Sequence, residues 1–566
     1  MSIGIDIGTS AIRVNDLLSE VIDSTTNPDN NHVSQSSQLI FTKILQALSS
    51  LEYDDFHSIA VSATCSMVVL NTVSINGERF LQPFNTSCSP DKYVTDFNHD
   101  VLLWMDNRAT DQTEQLNTDL QNTPAIRSVG NRFVPELGLP KLKWLSENYP
   151  NEHLVCFELF DWISYLFING GFDENSCVKY PSHFADFTDD SIAIDGSIKG
   201  WSQKSLVEFG ISKNIKIGTN VNSKENLHLG YPLGELHASI RNFIGIHASS
   251  KCIVVNGCID SYAGWIGQLD PTVNYVAMTA GTSTCCILGM VGCTQPILGI
   301  WGPFNQLAID NEYLIYAFGQ PATGKLYERL IQTSIFRKHA GNESDPFLWL
   351  ETKTIELEQI HNRLINALIK NYFYYGDVYG NRSPYNDYQM SEMVIDGVNS
   401  CKQLDLVISG DDITSLVIRY NLIIEFLVFQ FKQIIDRMSE ANRNINPPGI
   451  VVSGSQSKND RFLQMLADVT SMKVQRIKGR DGQYCSSIGA SIIATIGKKI
   501  YGGDKQGTTF TESLIANEYV HYQPHRNEIL MRKYDAMKKM AEFQIQLRRL
   551  MSSDSEHETC NEYTRH

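Results

Sequence analysis

Short apolar runs ended by turn residues alternate along this chain with longer segments in which apolar residues recur every three or four positions. Residues 3–7 form the first run, with Asp6 inside it and Gly8-Thr9-Ser10 closing it, the pattern of a strand feeding a turn. Residues 253–255, 275–278, 313–318 and 450–452 read as strands of the same kind. Between them, Phe41, Ile44, Leu45, Leu48 and Leu51 fall at helical spacing. The strongest helix is expected at about 420–441. There Ile423, Ile424, Leu427, Phe431, Ile434, Ile435 and Met438 make one stripe, and Phe426, Val428 and Phe429 widen it until little polar face is left. Such a helix belongs between layers. A basic amphipathic helix at 531–550 should dock on the body, and 552–566 is polar enough for a disordered tail. Strands alternating with helices indicate an α/β architecture.

Length divides this architecture: 566 residues exceed what one core usually holds, so two large domains are expected, 1–269 and 270–551. With 42% hydrophobic and 19% charged residues the chain reads as globular. A net charge of −16 argues against a protein that covers a nucleic-acid backbone. The twelve cysteines form no C-x-x-C pairs of the kind a structural zinc site uses, and read as reduced thiols. Residues 271–309 carry no charge, but Gly, Pro, Thr, Ser, Asn and Gln interrupt them throughout, so a buried set of strands and loops is expected there, with no membrane partner. The first residues show neither a basic n-region nor an apolar h-region, which makes a cytoplasmic protein the expectation.

Chemistry concentrates at the turns. Asp6 beside Gly8, Thr9 and Ser10 sets a carboxylate next to backbone N–H groups and hydroxyls, a combination suited to a metal-bound phosphate, since Mg2+ takes oxygen ligands. A buried Asp merely capping the turn is the competing explanation. The triplet returns as Gly281-Thr282-Ser283, which suggests two similarly built halves, unless the repeat is coincidence. Asp260 follows the strand at 253–255 and stands about 20 residues before the second triplet, where it could accept the proton of an attacking hydroxyl or, more simply, cap a helix. Gly319 to Lys325 fits G-x-x-x-x-G-K, yet Leu326 stands where a P-loop needs Ser or Thr; Gln320 is kept as a nucleotide-side candidate. Gly454, Ser455 and Asn459 lie between a strand and a helix, where a nucleotide base or ribose could rest.

In this order the motifs resemble the FGGY carbohydrate kinases, and within them the D-ribulokinase-like branch. The landmarks run from I-G-I-D-I-G-T-S at 3–10 through A-T-C-S-M-V-V-L at 63–70, L-W-M-D-N-R-A at 103–109 and N-G-C-I-D-S-Y-A-G at 256–264 to A-G-T-S-T-C at 280–285, Y-G-N-R-S-P at 379–384 and the segment 457–470. The resemblance implies two ribonuclease-H-like domains of the actin, hexokinase and sugar-kinase superfamily around a cleft, with sugar mainly on the first and ATP mainly on the second. It implies Asp260 as catalytic base; Asp6, Gly8, Thr9, Ser10 and Arg13 as the phosphate element, with Asp6 the Mg2+ residue, directly or through water; and Gly281, Thr282 and Ser283 as the second phosphate hairpin. Thr64, Cys65, Trp104, Asp106, Arg108 and Glu136 match positions near the sugar. Three departures stand out: Ser455 in place of a second Gly, Tyr262 and Trp265 around the base, and a short hairpin after Arg13.

The leading expectation is therefore an ATP-dependent kinase of a ketopentose, D-ribulose first. A silent sugar sensor, a kinase of L-ribulose, xylulose or glycerol, and a chaperone-like ATPase stay open, as does the oligomeric state. Hydroxyl geometry in the pocket decides among sugars, and one sequence does not display it.

Overall fold

Strand Ser2–Ile7 pairs antiparallel with Ala11–Val14, which continues to Leu18–Val21; on its other edge it runs parallel to Ser58–Ala63, then Ile253–Ile259, with Pro232–Glu235 closing that side. The same plan recurs in the second half of this computed structural model. Val276–Ala280 pairs antiparallel with Thr284–Val291, and that strand with Tyr313–Gln320; the other edge of Val276–Ala280 runs parallel to Gly449–Ser453 and then Lys473–Ile477. Both Gly-Thr-Ser triplets are thus the turn between the first two strands of a sheet, so the repeat reflects two similarly built halves. The structure describes residues 1–26, 32–51, 56–86, 99–181, 195–221, 226–246, 251–268, 275–292, 295–304, 313–397, 410–479, 482–503 and 517–552. The boundary expected between 269 and 270, and the tail beyond Ser552, lie outside them.

The hairpin that looked short after Arg13 is complete. Asn15 turns the chain with φ of 49°, a conformation Asn tolerates better than most residues, and its Oδ1 accepts the Gly4 N–H at 2.7 Å. A further sheet is centred on Met67–Ile75, flanked by Glu78–Pro83, Leu154–Glu158 and Val101–Leu102.

The helix expected at 41–51 is Ser37–Ser49, started by the Ser36 hydroxyl, which accepts the Leu39 N–H; Phe41, Ile44 and Leu48 are buried as their spacing requires. The long apolar helix is Ile413–Ala441, capped by Asp412. Among the described residues it has the length and composition to cross a membrane, but most of it is enclosed by the second core. Against that core docks Glu528–Ser552 through Leu530, Tyr534, Met537, Met540 and Ala541, with the buried Lys533 paired to Glu425.

Helix Cys485–Tyr501 comes late in the chain yet lies on the first sheet and on helix Asp260–Gln268. Its residues Ile488, Ile492, Ile493 and Ile496 belong to the core of the first half. The approach is close because glycines face backbone. A Cβ on Gly489 would stand 1.8 Å from the Ala263 carbonyl oxygen, and one on Gly267 2.0 Å from that of Cys485. Backbone cannot yield to an added methyl as a side chain can. Gly489→Ala should therefore lower stability by about 3 kcal/mol, seen as a lower thermal unfolding midpoint; an unchanged midpoint would show that the two helices can separate freely.

Candidate functional site

Strand Ser2–Ile7 delivers Asp6 to the floor of a cavity of about 420 Å³ that takes its walls from both halves. The Asp6 carboxylate accepts from Arg13 Nη1 at 3.2 Å and from the Ser62 hydroxyl at 3.1 Å. Burial raises its pKa, against the pull of Arg13 and Ser62. Gly8, Thr9 and Ser10 line the same cavity, and their turn is held from two sides: Thr9 Oγ1 accepts Trp104 Nε1–H at 3.0 Å, and its carbonyl accepts Gln35 Nε2–H at 2.8 Å.

Asp260 opens helix Asp260–Gln268 and faces this cavity, while its carbonyl accepts the Ser486 hydroxyl at 3.0 Å. Burial and the nearby charge of Asp6 push its carboxyl up to about 7, opposed by the Ser261 N–H and Arg13. The two carboxylates, which the sequence separates by nearly the whole of the first half, are thus electrostatic neighbours. One proton, or one cation, between them relieves the repulsion.

On the opposite wall stand Gly281, Thr282 and Ser283. The segment that resembled a P-loop lies behind this hairpin. Its Thr323 and Gly324 N–H groups are donated to the Thr282 and Gly281 carbonyls at 3.0 and 2.9 Å, and Lys325 pairs with Glu328. Amides spent on protein carbonyls cannot cradle a phosphate, so the P-loop reading falls. Gly454 (φ 77°) and Ser455 complete this end; a Cβ on Gly454 would come within 2.5 Å of the Ala280 carbonyl oxygen, so glycine is required there. Ser455, where a second Gly was expected, lines the cavity.

Thr64, Cys65, Trp104 and Glu136 line the cavity as expected. Thr64 Oγ1 shares a hydrogen bond with Ser66, and the buried Lys141 donates to the carbonyls of Leu103, Trp104 and Glu136, fixing the backbone that presents both side chains. Four of the expected residues do not reach the cavity wall. Asp106 and Arg108 are paired with one another, Arg108 Nε and Nη2 donating at 2.8 and 2.7 Å, and Asp106 also accepts the Val33 N–H. The pair is structural here: it ties residues 103–109 to the strand Val33–Gln35. Gln320 is buried and donates to the Leu427 carbonyl at 2.9 Å, fixing its strand on the long helix. Asn459 caps helix Asp460–Thr470 by accepting the Phe462 N–H, and donates to the Tyr420 hydroxyl.

Asp195 lines the cavity with no motif to announce it, and Trp301, Arg382 and Lys458 line it as well, Arg382 from the motif at 379–384 and Lys458 from the segment 457–470, although the sequence singles out none of them as a site residue. Tyr262, flagged only as a departure, donates its hydroxyl to the Asp195 carbonyl at 2.7 Å and so shapes this wall. Trp265 is buried against Gly289 and lies outside it. The Asp195-Gly196 dipeptide is a turn signal, the sole local hint of that segment.

Among the described residues no cluster of three or more His, Cys, Asp or Glu side chains could hold a metal by itself. The donor set nevertheless fits Mg2+, which commonly uses one or two carboxylates and leaves its other positions to water and phosphate.

Residues 276–497 match the C-terminal domain of the FGGY family of carbohydrate kinases. The chain is 29% identical over 573 residues to protein MPA43 of Saccharomyces cerevisiae, covering 94% of this chain and 93% of that one. It is 28% identical over 522 residues to a D-ribulokinase of the same yeast, covering 83% and 68%. The crystal structure of xylulose kinase from Rhodospirillum rubrum shares the two-domain fold, with a TM-score of 0.66 and 15% identity over 96% of this chain and 99% of that one.

The elevated Asp260 carboxyl makes a stability prediction. Its unfolded value is near 3.8 and its folded value about 7, so folding is penalised progressively as pH rises between them, fully above about 7 and not at all below about 4. Asp260→Asn should therefore stabilise the ligand-free protein by roughly 1–2 kcal/mol at pH 8, with no gain at pH 4. A variant no more stable at pH 8 than wild type would show that Asp260 is not held against its charge.

Proposed function

We propose that this chain, whose residues 276–497 match the C-terminal domain of the FGGY family of carbohydrate kinases, is a sugar kinase of that family and moves the γ-phosphoryl group of ATP to a hydroxyl of a small ketose, D-ribulose first. The observation that carries this reading is the meeting of Asp6 and Asp260 in one cavity between two like hairpins. The choice of sugar is supported by the likeness to the yeast D-ribulokinase. Residues 1–269 would hold most of the sugar and 270–551 most of the nucleotide, in the cytoplasm.

In this reading the Asp260 carboxylate takes the proton of the sugar hydroxyl as its oxygen bonds to the γ-phosphorus and the bond from that phosphorus to ADP's oxygen breaks. General-base help of this kind is worth about 10²–10⁴-fold. Positioning and charge stabilisation supply most of the rest. The turns at 8–10 and 281–283 would hold phosphate oxygens by backbone N–H groups and hydroxyls, and Arg13 would add positive charge beside Asp6. Thr64, Cys65, Trp104 and Glu136 would face the sugar; Gly454 and Ser455, with Lys458 nearby, would face the adenosine. Asp6 would hold Mg2+, directly or through water, which when bound neutralises phosphate charge. A carboxyl near 7 is balanced between accepting a proton readily and being ionised at working pH.

ADP release coupled to an indicator should be measured with D-ribulose, L-ribulose, D-xylulose, ribitol and glycerol. D-ribulose should show the highest kcat/KM; preference for another sugar would keep the kinase and overturn the substrate, while a silent panel would favour a sugar sensor. Sugar-independent ATP hydrolysis would point to an ATPase. On the preferred sugar, kcat/KM should climb with unit slope in pH below about 7 and level off above it. Asp260→Asn should lose about 10²–10⁴-fold in kcat while ADP affinity stays within about 2-fold. Normal turnover in that variant removes Asp260 from the mechanism.

A further inference from the structure

Among the described residues, one ion pair joins the two halves across the cavity. Arg382, from the second half, donates Nη2–H to Glu136 Oε2 of the first half at 2.6 Å, and both residues line the cavity. The guanidinium lies near two cavity tryptophans, with ring centroids 5.7 Å away for Trp104 and 5.8 Å for Trp301. It is only 7% exposed, and its donors are poorly matched: Nη1 reaches the Cys285 sulfur at 3.7 Å, a weak acceptor, and Nε has no partner.

This geometry is built rather than incidental. Asn381, next in the chain, donates to Asp377 Oδ2 at 2.8 Å, while Gln430 of the long helix donates to Asp377 Oδ1 at 2.6 Å; Ser383 donates to the Gly299 carbonyl at 2.8 Å. On the first half, Lys141 fixes the backbone of Glu136 and Trp104. A buried donor left unpaired is costly, so a site that keeps one is shaped for a ligand that supplies the acceptor. Glu136 already neutralises the charge, so the acceptor that fits best is an uncharged oxygen. Cys285 ties this corner to the reacting end, because its thiol responds to the charges of both Arg382 and Asp260.

We infer that Arg382, held by Glu136, is a specificity-determining residue that gives a hydrogen bond to a hydroxyl or carbonyl oxygen of the sugar and selects neutral polyhydroxylated substrates over sugar acids. This rests on the kinase reading above and names the substrate class of the same cavity. It also makes the second half a direct contributor to the sugar site.

Wild type, Arg382→Gln, Arg382→Lys and Glu136→Gln are compared by sugar KM, ATP KM and ADP affinity, and by inhibition with D-ribonate, the acid of the same carbon count as ribulose. Arg382→Gln should raise the sugar KM at least about 10-fold and leave ADP affinity within about 2-fold; Arg382→Lys, which lacks the planar fork, should not restore it. Glu136→Gln leaves the guanidinium charge uncompensated and should tighten ribonate inhibition about 10-fold. A sugar KM within 2-fold of wild type, in an Arg382→Gln protein with unchanged ADP affinity and thermal midpoint, overturns the inference. If Arg382→Gln does not fold, unchanged ribonate inhibition in Glu136→Gln overturns it. A wild type that turns over no sugar in the panel removes the kinase reading and this inference together, whereas an active wild type with unresponsive variants removes this inference alone.

Discussion

Two carboxylates set the terms of this structure. Asp6 and Asp260 are brought into one cavity, shielded from water, where each raises the cost of ionising the other. Such a pair is tolerated only when surrounding groups are arranged to meet its charge, and that arrangement is visible at every contact. Arg13 and Ser62 take up Asp6, the Ser261 N–H takes up Asp260, and the two hairpin turns border the same space. The free energy lost by placing carboxylates there is drawn from large apolar cores on both sides. A site that concentrates negative charge and then surrounds it with donors is suited to a reaction in which cationic and anionic groups arrive together, as MgATP does.

The fold serves this constraint by repeating one plan. Each sheet starts with a hairpin whose turn faces the cavity, and each continues into parallel strands whose ends carry the remaining groups: Thr64 after Ser58–Ala63, Asp260 after Ile253–Ile259, Gly454 after Gly449–Ser453. Helix Cys485–Tyr501, which follows strand Lys473–Ile477 of the second sheet, packs on the first through glycine contacts and carries Ser486 to the Asp260 carbonyl. The halves are linked by the covalent chain, by this helix, by the Glu136–Arg382 pair and by hydrogen bonds such as those from Asn386 Nδ2 to the Arg132 carbonyl and from the Gly302 N–H to the Ser128 carbonyl.

Much of this was legible in the residues because it is local. The strand-and-turn pattern around Asp6, the second triplet, the long apolar helix and the position of Asp260 each follow from short stretches with a strong period or a turn signal. What could not be read is what depends on distant partners. Asp106 and Arg108 look like sugar ligands, being polar and close to Trp104, but each found the other first. Gln320 resembles a nucleotide contact, yet it satisfies a carbonyl of a helix more than a hundred residues later. Arg382 carries no sign in sequence that its partner is Glu136, and Asp195 enters through a turn whose cavity-facing role exists only once Tyr262 reaches it. Hydrogen bonds between remote segments decide which polar residues are free for a ligand, and no local pattern records them.

The most direct test of this account follows the phosphoryl group itself. Phosphorus NMR of the purified protein with MgATP and D-ribulose should show the γ-phosphate signal replaced, one for one with ADP, by a sugar phosphomonoester, and Asp260→Asn should leave the spectrum almost unchanged over the same time. Accumulation of inorganic phosphate without a phosphomonoester, or a phosphomonoester formed equally fast by Asp260→Asn, would contradict it.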